Sequence, residues 1–212
     1  MATVDAEKKL QNRVLHWLVD DLGYTYLGNL EDIDNTPVKE ELLKANLKKR
    51  GYTDDQIKTA ISELVGKVNN QSDTLYQINR SVYSLLRYGR QGAKDASGHR
   101  QTVHYIDWDD IGKNDFFVAE EVSVLRFDKV TRKRPDVVLY INGIALGVFE
   151  LKSSYVSAGK GIRQLLQNQK RENILNFFST AQFLFAGNEA EGLFYGTINT
   201  PEKYYLKWKE DK

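Results

Sequence analysis

The sequence contains no cysteine among its 212 residues, which excludes disulfide bonds and thiolate metal sites. It has no run of the roughly 20 apolar residues that a membrane helix needs. Its first residues lack the apolar segment of a secretory signal, and no Gly-x-x-x-x-Gly-Lys-Ser/Thr phosphate loop occurs. The net charge is only +1, so no overall basic field attracts a polyanion. These absences favour a cytoplasmic protein without membrane contact.

Amphipathic helices are predicted in the first 90 residues. Apolar residues recur at intervals of three and four over 5–22. A second helix is predicted over 37–50, where acidic residues come first and basic residues last, as the helix dipole favours. Thr53 and Gln56 have the spacing of a capping box that begins a third helix. A fourth helix is predicted over 80–87.

Strand-like runs rich in Val, Phe and Tyr dominate the second half. The polar, glycine-rich segment 89–100 predicts a loop or a long hairpin tip. The order strand, strand, strand, helix, strand predicts an α/β fold with a mixed sheet flanked by helices. The predicted elements are strands at 101–108, 116–127, 135–141 and 144–152, a helix within 157–173, strands at 181–187 and 192–198, and a closing helix or turn at 201–208.

Three segments with different roles follow from this pattern. Residues 1–30 are predicted to supply an N-terminal helix that packs on the core. Residues 31–90 are predicted to form a helical insertion or subdomain, and residues 91–212 the core itself.

Three charged residues interrupt the apolar stretch RPDVVLYINGIALGVFELK at 134–152. Glu150 and Lys152 are two positions apart in a strand, so they project from one face. Asp136 begins the preceding strand. Two carboxylates on one buried face repel each other, and a divalent cation such as Mg²⁺ removes that conflict. The stretch is therefore either a metal site suited to phosphodiester hydrolysis or a half-buried ion pair.

The register of this hairpin distinguishes the two interpretations. A two-residue loop at 142–143 with regular strands would place Asp136 across from Phe149, with Glu150 on the opposite face. A three- or five-residue loop, or a bulge for which Gly147 is the candidate, would bring both acids to one face. The metal-site hypothesis therefore predicts an irregular hairpin.

Polar residues at the start of the following helix lie within reach of this site. Gln164 could hydrogen-bond a metal-bound water or a phosphate, although taken alone it is better explained as a solvated helix residue. Lys160 and Arg163 place positive charge near a helix start, which suits a phosphate. An ordinary flexible loop explains them as well. The basic run at 126–134 is a second candidate patch, or a solvated strand end.

As a set, these segments resemble the PD-(D/E)xK nucleases. More narrowly, they resemble the N-terminal region of the restriction (motor) subunit of type I restriction–modification enzymes. The resemblance spans nearly the whole chain. Besides 134–152, it includes INRSVYSLLRYG (78–89), HYIDWDDIGKNDFFVAEEVSV (104–124), IRQLLQNQ (162–169) and GLFYGTINTPEKYYLKWK (192–209).

The resemblance implies roles for the charged residues of the hairpin. In that family an aspartate and a glutamate bind Mg²⁺, and a lysine acts at the scissile phosphate. Carried over, these are Asp136, Glu150 and Lys152, with the Leu151 backbone carbonyl as a further metal ligand. A glutamate on an N-terminal helix often completes such sites, and Glu7 is the candidate, although an exposed first-turn acid is the plainer interpretation.

The next helix matches the family only in part. Gln164 matches the glutamine of a Gln-x-x-x-Tyr element, but Asn168 stands at the tyrosine position, which puts the phosphate-positioning role of this helix in question. The catalytic set predicted here is Asp136, Glu150, Lys152 and Gln164, and the predicted DNA contacts are Lys160 and Arg163.

The resemblance also implies a substrate and partners. It implies a nuclease domain that cuts DNA with little sequence preference, taken from a subunit whose other domains hydrolyse ATP. Its partners would be the modification and specificity subunits. Two alternatives remain open at this point: a non-catalytic DNA-binding or subunit-docking module, and a junction or repair nuclease.

Overall fold

The computed structural model describes residues 2–94 and 100–209. Residues 95–99, within the predicted hairpin tip, lie outside the described residues. The helices are α1 (Ala2–His16), α2 (Glu40–Lys49), α3 (Asp54–Val68), α4 (Leu75–Tyr88) and α5 (Ala158–Asn168). The strands are β1 (Thr25–Asn29), β2 (Arg90–Lys94), β3 (Arg100–Val103), β4 (Phe116–Glu120), β5 (Val124–Leu125), β6 (Arg132–Lys133), β7 (Val137–Ile141), β8 (Ile144–Leu151), β9 (Phe183–Asn188), β10 (Gly192–Gly196) and β11 (Leu206–Lys207).

A seven-stranded sheet forms the centre of the molecule, in the order β1-β4-β7-β8-β9-β10-β11. The β1–β4 and β8–β9 pairs are parallel and the others antiparallel. The predicted α/β fold with a mixed sheet is therefore confirmed. Within the described residues, no helix has the length and apolar character to cross a membrane.

Helices cover both faces of this sheet. One face packs against α1 through a cluster that includes Leu15, Val137, Phe149 and Phe185. The other face carries Val138, Val148 and Ala186 and packs against Ile162 and Leu165 of α5. Because neighbouring side chains in a strand alternate between faces, Asp136 and Glu150 belong to the α5 face.

Helices α2, α3 and α4 share a separate apolar cluster, which also includes Val38, Tyr105 and Ile144. The predicted capping box at Thr53 and Gln56 is confirmed at the start of α3. The assignment of 31–90 as an insertion remains a prediction.

Two of these helices begin elsewhere than predicted. The start at residue 37 is wrong because Pro37 and Val38 pair with β8 instead: Ala145 N–H donates to the Pro37 carbonyl at 2.8 Å, and Val38 bridges Ile144. Helix α2 therefore begins at Glu40. Helix α4 begins five residues before the predicted start, since Thr74 and Gln77 form a second capping box that was not predicted.

Several boundaries in the strand region also differ. Strand β1 was not predicted, and it extends the sheet beyond β4. The strand predicted over 116–127 is broken after Glu120, because Glu121 takes a left-handed conformation with φ of 51°. The strand predicted over 101–108 ends at Val103, where β3 pairs with β2 in a separate two-stranded sheet. At the C-terminal end, a short 3-10 turn precedes β11.

Candidate active site

A β-bulge sets the register of the hairpin that carries the charged residues. The turn has two residues, and Ile141 pairs with Ile144 as a regular hairpin requires. One step further Tyr140 pairs with Ala145, but Leu139 pairs with Gly147, so Leu146 is the extra residue. The shift continues along the ladder and sets Asp136 opposite Glu150. The irregular hairpin that the metal-site hypothesis requires is therefore present, with the bulge at Leu146 and not at the candidate Gly147, and it brings the two carboxylates to one face.

The two carboxylates are held differently. Asp136 lies just before β7, and its Oδ2 accepts a hydrogen bond from the Leu151 backbone N–H at 2.6 Å. Glu150 lies inside β8 with 0% of its surface exposed. Its Oε1 accepts hydrogen bonds from Gln164 Nε2 and from Lys152 Nζ, the latter at 3.1 Å. Its Oε2 is buried and, among the described residues, has no hydrogen-bond partner.

The Lys152 ammonium lies among the oxygens of this cluster. Its Nζ is 2.7 Å from the Leu151 carbonyl oxygen, and it contacts three carboxylates in turn. The distances are 3.1 Å to Glu150 Oε1, 3.4 Å to Glu7 Oε1 and 3.9 Å to Asp136 Oδ2. The oxygens predicted to hold a metal ion, including that of Glu7, thus surround one positive charge.

Burial and neighbouring charges shift the pKa values of these three groups. Burial raises the pKa of Asp136 to about 6, against the opposing effect of the Lys152 charge. Burial and the Asp136 charge raise the pKa of Glu150 well above its usual value. Burial alone would lower the pKa of Lys152, but the charges of Glu150 and Asp136 outweigh it and raise that pKa. Shifts that combine burial with a specific charged neighbour are typical of functional sites.

Helix α5 reaches the site because a glycine allows it close to β8. A Cβ atom at Gly161 would lie 3.0 Å from the Glu150 carbonyl oxygen and 3.2 Å from Ala186 Cβ. One turn later in the helix, Gln164 donates to Glu150. The tight packing of α5 thus positions the amide that donates to one oxygen of Glu150.

The chemistry of these donors fits a hard divalent cation. Asp136, Glu150 and the Leu151 carbonyl offer only oxygen ligands, which Mg²⁺ prefers. A cation would also contact the buried Glu150 Oε2, which has no hydrogen-bond partner among the described residues, and would stabilise its ionised form, since a buried charge without a partner is costly. In the described part of the chain, no three His, Asp or Glu side chains form a complete metal cage. A Mg²⁺ ion here would keep several waters or take phosphate oxygens.

The remaining predicted residues are placed as follows. Lys160 is exposed on the first turn of α5, and Gln164 follows it by one turn on the same helical face. Arg163 Nη1 lies 2.6 Å from Glu202 Oε1, so this guanidinium is already paired. Asn168 is buried, with an Oδ1 atom that has no hydrogen-bond partner among the described residues.

A group of polar residues beside the site was not anticipated. Glu120, at the end of β4, accepts hydrogen bonds from Lys8 and Gln11 of α1 and from Tyr26 of β1. The spacing of Gln11 four positions after Glu7 was the available signal in the sequence. The partner strand that brings Glu120 to them could not be read from the sequence.

Comparison with known proteins places the chain in a family. Residues 6–203 match the family described as type I restriction enzyme R protein N terminus. The putative type I restriction enzyme MjaIXP endonuclease subunit of Methanocaldococcus jannaschii is 26% identical over 203 residues, covering 89% of this chain and 19% of that protein. The MjaVIIIP endonuclease subunit of the same organism, also putative, is 28% identical over 185 residues, covering 83% and 17%.

A shorter match involves the type I restriction enzyme HindI endonuclease subunit of Haemophilus influenzae. It is 31% identical over 77 residues, covering 35% of this chain and 7% of that protein. The chain spans less than a fifth of the length of the two M. jannaschii relatives. The family match, in contrast, covers residues 6–203 of the 212 residues of this chain. The chain therefore belongs to the family of the type I restriction enzyme R protein N terminus.

Proposed function

We propose that this chain is the Mg²⁺-dependent endonuclease domain of a type I restriction enzyme, with a PD-(D/E)xK site that hydrolyses DNA phosphodiester bonds. The observation that carries this proposal is the bulge-dependent alignment of Asp136 with Glu150 around the Lys152 ammonium. A purely structural ion pair would not need a second buried carboxylate, one oxygen of which lacks a hydrogen-bond partner in the part of the chain that the structure describes. The names of the relatives, all endonuclease subunits, support the same function.

Each residue of the site has a distinct part in the proposed reaction. Asp136, Glu150 and the Leu151 carbonyl hold the ion, and Glu7 supports them from α1. When bound, Mg²⁺ supplies charge stabilisation at the phosphate and lowers the pKa of a coordinated water. Lys152 places its ammonium beside the scissile phosphate, where it orients the attacking water and stabilises developing negative charge. Gln164 fixes the orientation of Glu150.

The same proposal covers substrate and partners. DNA is the substrate, and it is cut with little intrinsic sequence preference, because backbone contacts carry no sequence information. Lys160 and Arg163 are proposed to contact DNA phosphates. We further propose that modification and specificity subunits supply target recognition, that ATP is used by other domains of the full enzyme, and that the protein acts in the cytoplasm.

Metal binding and DNA nicking by matched variants test the proposal. Calorimetric titration with Mn²⁺ should show binding to the wild-type chain and none to Asp136→Asn or Glu150→Gln. Supercoiled plasmid should be nicked by the wild type in Mg²⁺ or Mn²⁺ but not by these variants or Lys152→Ala. Gln167→Ala, an exposed change on α5, is the control and should behave as wild type. Wild-type binding that persists unchanged in both carboxylate variants would contradict the proposal.

A further inference from the structure

We infer that Gln11 and Glu120 form a positioning pair that holds α1, and with it Glu7, against the metal-binding strands. The inference rests on the proposed function and adds positioning residues to it. Neither residue is proposed to touch the metal or the DNA. Their role is to set the distance between the N-terminal helix and the two strands that carry Asp136 and Glu150.

Gln11 joins three elements at one point. Only 3% of its surface is exposed. Its Nε2 donates to Glu120 Oε2 at 2.7 Å and to the Asp136 backbone carbonyl at 3.3 Å. A primary amide has two N–H donors, so both contacts are made at once. One side chain thereby connects helix α1, the end of β4 and Asp136.

Glu120 accepts the hydrogen bonds that hold this arrangement in place. Lys8 Nζ lies 2.6 Å from its Oε2, and the Tyr26 hydroxyl lies 2.5 Å from its Oε1. Burial alone would raise the pKa of Glu120, but hydrogen bonds from Lys8, Tyr26 and Gln11 outweigh it and hold that pKa below its usual value. Glu120 is 9% exposed. An apolar side chain would fill this place at a lower desolvation cost. The contribution of the carboxylate is therefore the set of directed hydrogen bonds that it accepts.

The spacing along α1 transmits this constraint to the site. Glu7 and Gln11 are four positions apart and lie on one helical face. The Glu7 side chain is 35% exposed, so packing alone does not fix it. Its Oε1 nevertheless lies 3.4 Å from Lys152 Nζ. The Gln11 contacts therefore limit the rotation of α1 about its axis, together with Lys8 and the apolar packing of Leu15, and so set the approach of Glu7 to the oxygen cluster.

A nearly isosteric substitution separates positioning from packing. Gln11→Met keeps the volume of the side chain and removes both donors, while Glu120 keeps Lys8 and Tyr26. Loss of an outer-shell partner typically weakens metal affinity by about 10- to 100-fold. We expect the Mn²⁺ dissociation constant, measured by calorimetry, to rise in that range. The nicking rate at saturating Mn²⁺ should stay within about twofold of wild type, since Gln11 contacts no reacting group.

Leu15→Ala is the matched control. Leu15 lies on the same helix, one turn beyond Gln11, and is 8% exposed in the apolar cluster with Phe149. Its truncation should lower the thermal midpoint through lost packing and leave the Mn²⁺ dissociation constant unchanged. A rise of the dissociation constant in Gln11→Met but not in Leu15→Ala supports the inference. Equal effects of the two variants, or no effect of Gln11→Met, overturn it.

A metal-free measurement separates this inference from the proposed function. Hydrogen–deuterium exchange in the presence of chelator should show faster exchange around Glu7 in Gln11→Met than in the wild type, at unchanged exchange in β8. Unchanged exchange in α1 overturns the positioning role whether or not the wild type binds metal. Faster exchange in α1 together with a wild type that binds no Mn²⁺ supports the positioning role and contradicts the nuclease proposal.

Discussion

Asp136 lies opposite Glu150 because one residue of β8, Leu146, has no partner in β7. The side chain of that extra residue packs against the apolar cluster of α2–α4. The alignment of the two acids on the α5 face therefore coincides with a contact between the sheet and the three-helix cluster.

The buried carboxylates should destabilise the metal-free protein. Glu150→Gln removes a charge that burial disfavours, keeps the shape of the side chain and can still accept the hydrogen bond from Gln164. We expect its thermal midpoint in chelator to rise by about 2–4 °C, the shift that about 1 kcal/mol produces in a chain of this size. Addition of Mn²⁺ should raise the midpoint of the wild type only. A lower midpoint for Glu150→Gln in chelator would contradict this expectation.

Stability of the metal-free protein should fall as the pH rises from 5 to 7. Asp136 and Glu150 have higher pKa values in the folded protein than in the unfolded chain, so the folded state binds more protons in this interval. Folding stability then decreases as the pH rises through about 6, the pKa of Asp136, and the raised pKa of Glu150 acts in the same direction. Urea denaturation in chelator measures the slope. The double variant Asp136→Asn/Glu150→Gln should be nearly insensitive to pH here, and an equal slope in both proteins would be evidence against it.

The contribution of Asp128 to folding stability should have the opposite pH dependence, and at lower pH. Hydrogen bonds from Thr131 and Val130 lower its pKa to about 2. Its contribution is therefore present above the usual pKa of an aspartate and lost as the pH falls toward 2. Because its pKa is about 2, Asp128 should not contribute to the decline in stability expected from pH 5 to 7.

The Gln164 amide should tune metal affinity. Gln164→Ala leaves Glu150 Oε1 with Lys152 as its donor and frees the carboxylate to rotate. We expect Mn²⁺ binding to weaken by about 10-fold or more. Gln167→Ala, three positions further on the exposed side of α5, removes an amide that makes no side-chain hydrogen bond among the described residues. If both variants bind Mn²⁺ with wild-type affinity, Gln164 does not hold Glu150 in solution.

Two helical glycines offer a test of the close packing of α5. A methyl group on Gly66 of α3 would have no neighbouring atom within 4 Å, whereas a methyl group on Gly161 would meet the Glu150 carbonyl oxygen at 3.0 Å. Gly66→Ala should stabilise the protein by up to about 1 kcal/mol, the difference in helix propensity. Gly161→Ala should lose that gain and weaken Mn²⁺ binding, because α5 must move away from β8. Equal stabilisation by the two substitutions would contradict this packing argument.

Lys160 and Arg163 should differ in their contribution to DNA binding. Lys160 is exposed at the start of α5, and Arg163 is engaged with Glu202. Lys160→Ala should reduce the slope of log affinity against log salt concentration by about 0.9, as expected for one phosphate contact. Arg163→Ala should change it less. Fluorescence anisotropy with a short duplex at several salt concentrations measures both, and an unchanged slope for Lys160→Ala would exclude that contact.

Local patterns predicted much of this molecule. The capping box at Thr53 and Gln56, the Asn-Gly turn and the alternation in β8 depend on neighbouring residues, so they could be read from the sequence. Glu150 and Lys152 share a face for the same reason. The bulge could be stated only as a requirement, because register depends on packing between distant segments.

Contacts between residues that are distant in the sequence could not be predicted from local patterns. Pro37 and Val38 look like a helix start until Ala145 is known to lie beside them. Glu120 of β4 bonds to residues of α1 and β1 that are 94 to 112 positions away in the sequence. Strand β1 was missed because it is short and half-exposed, so it lacks a strong apolar pattern.

Strand β8 is the fourth of seven in the sheet, so strands on both sides shield it. Backbone amides in such a position open only with the whole domain and exchange last with solvent. Glu150 and Leu151, two of the residues proposed to hold the metal ion, lie in this strand and therefore in the slowest-opening part of the molecule. Proteolytic nicking of exposed loops should leave their geometry unchanged for as long as the sheet persists.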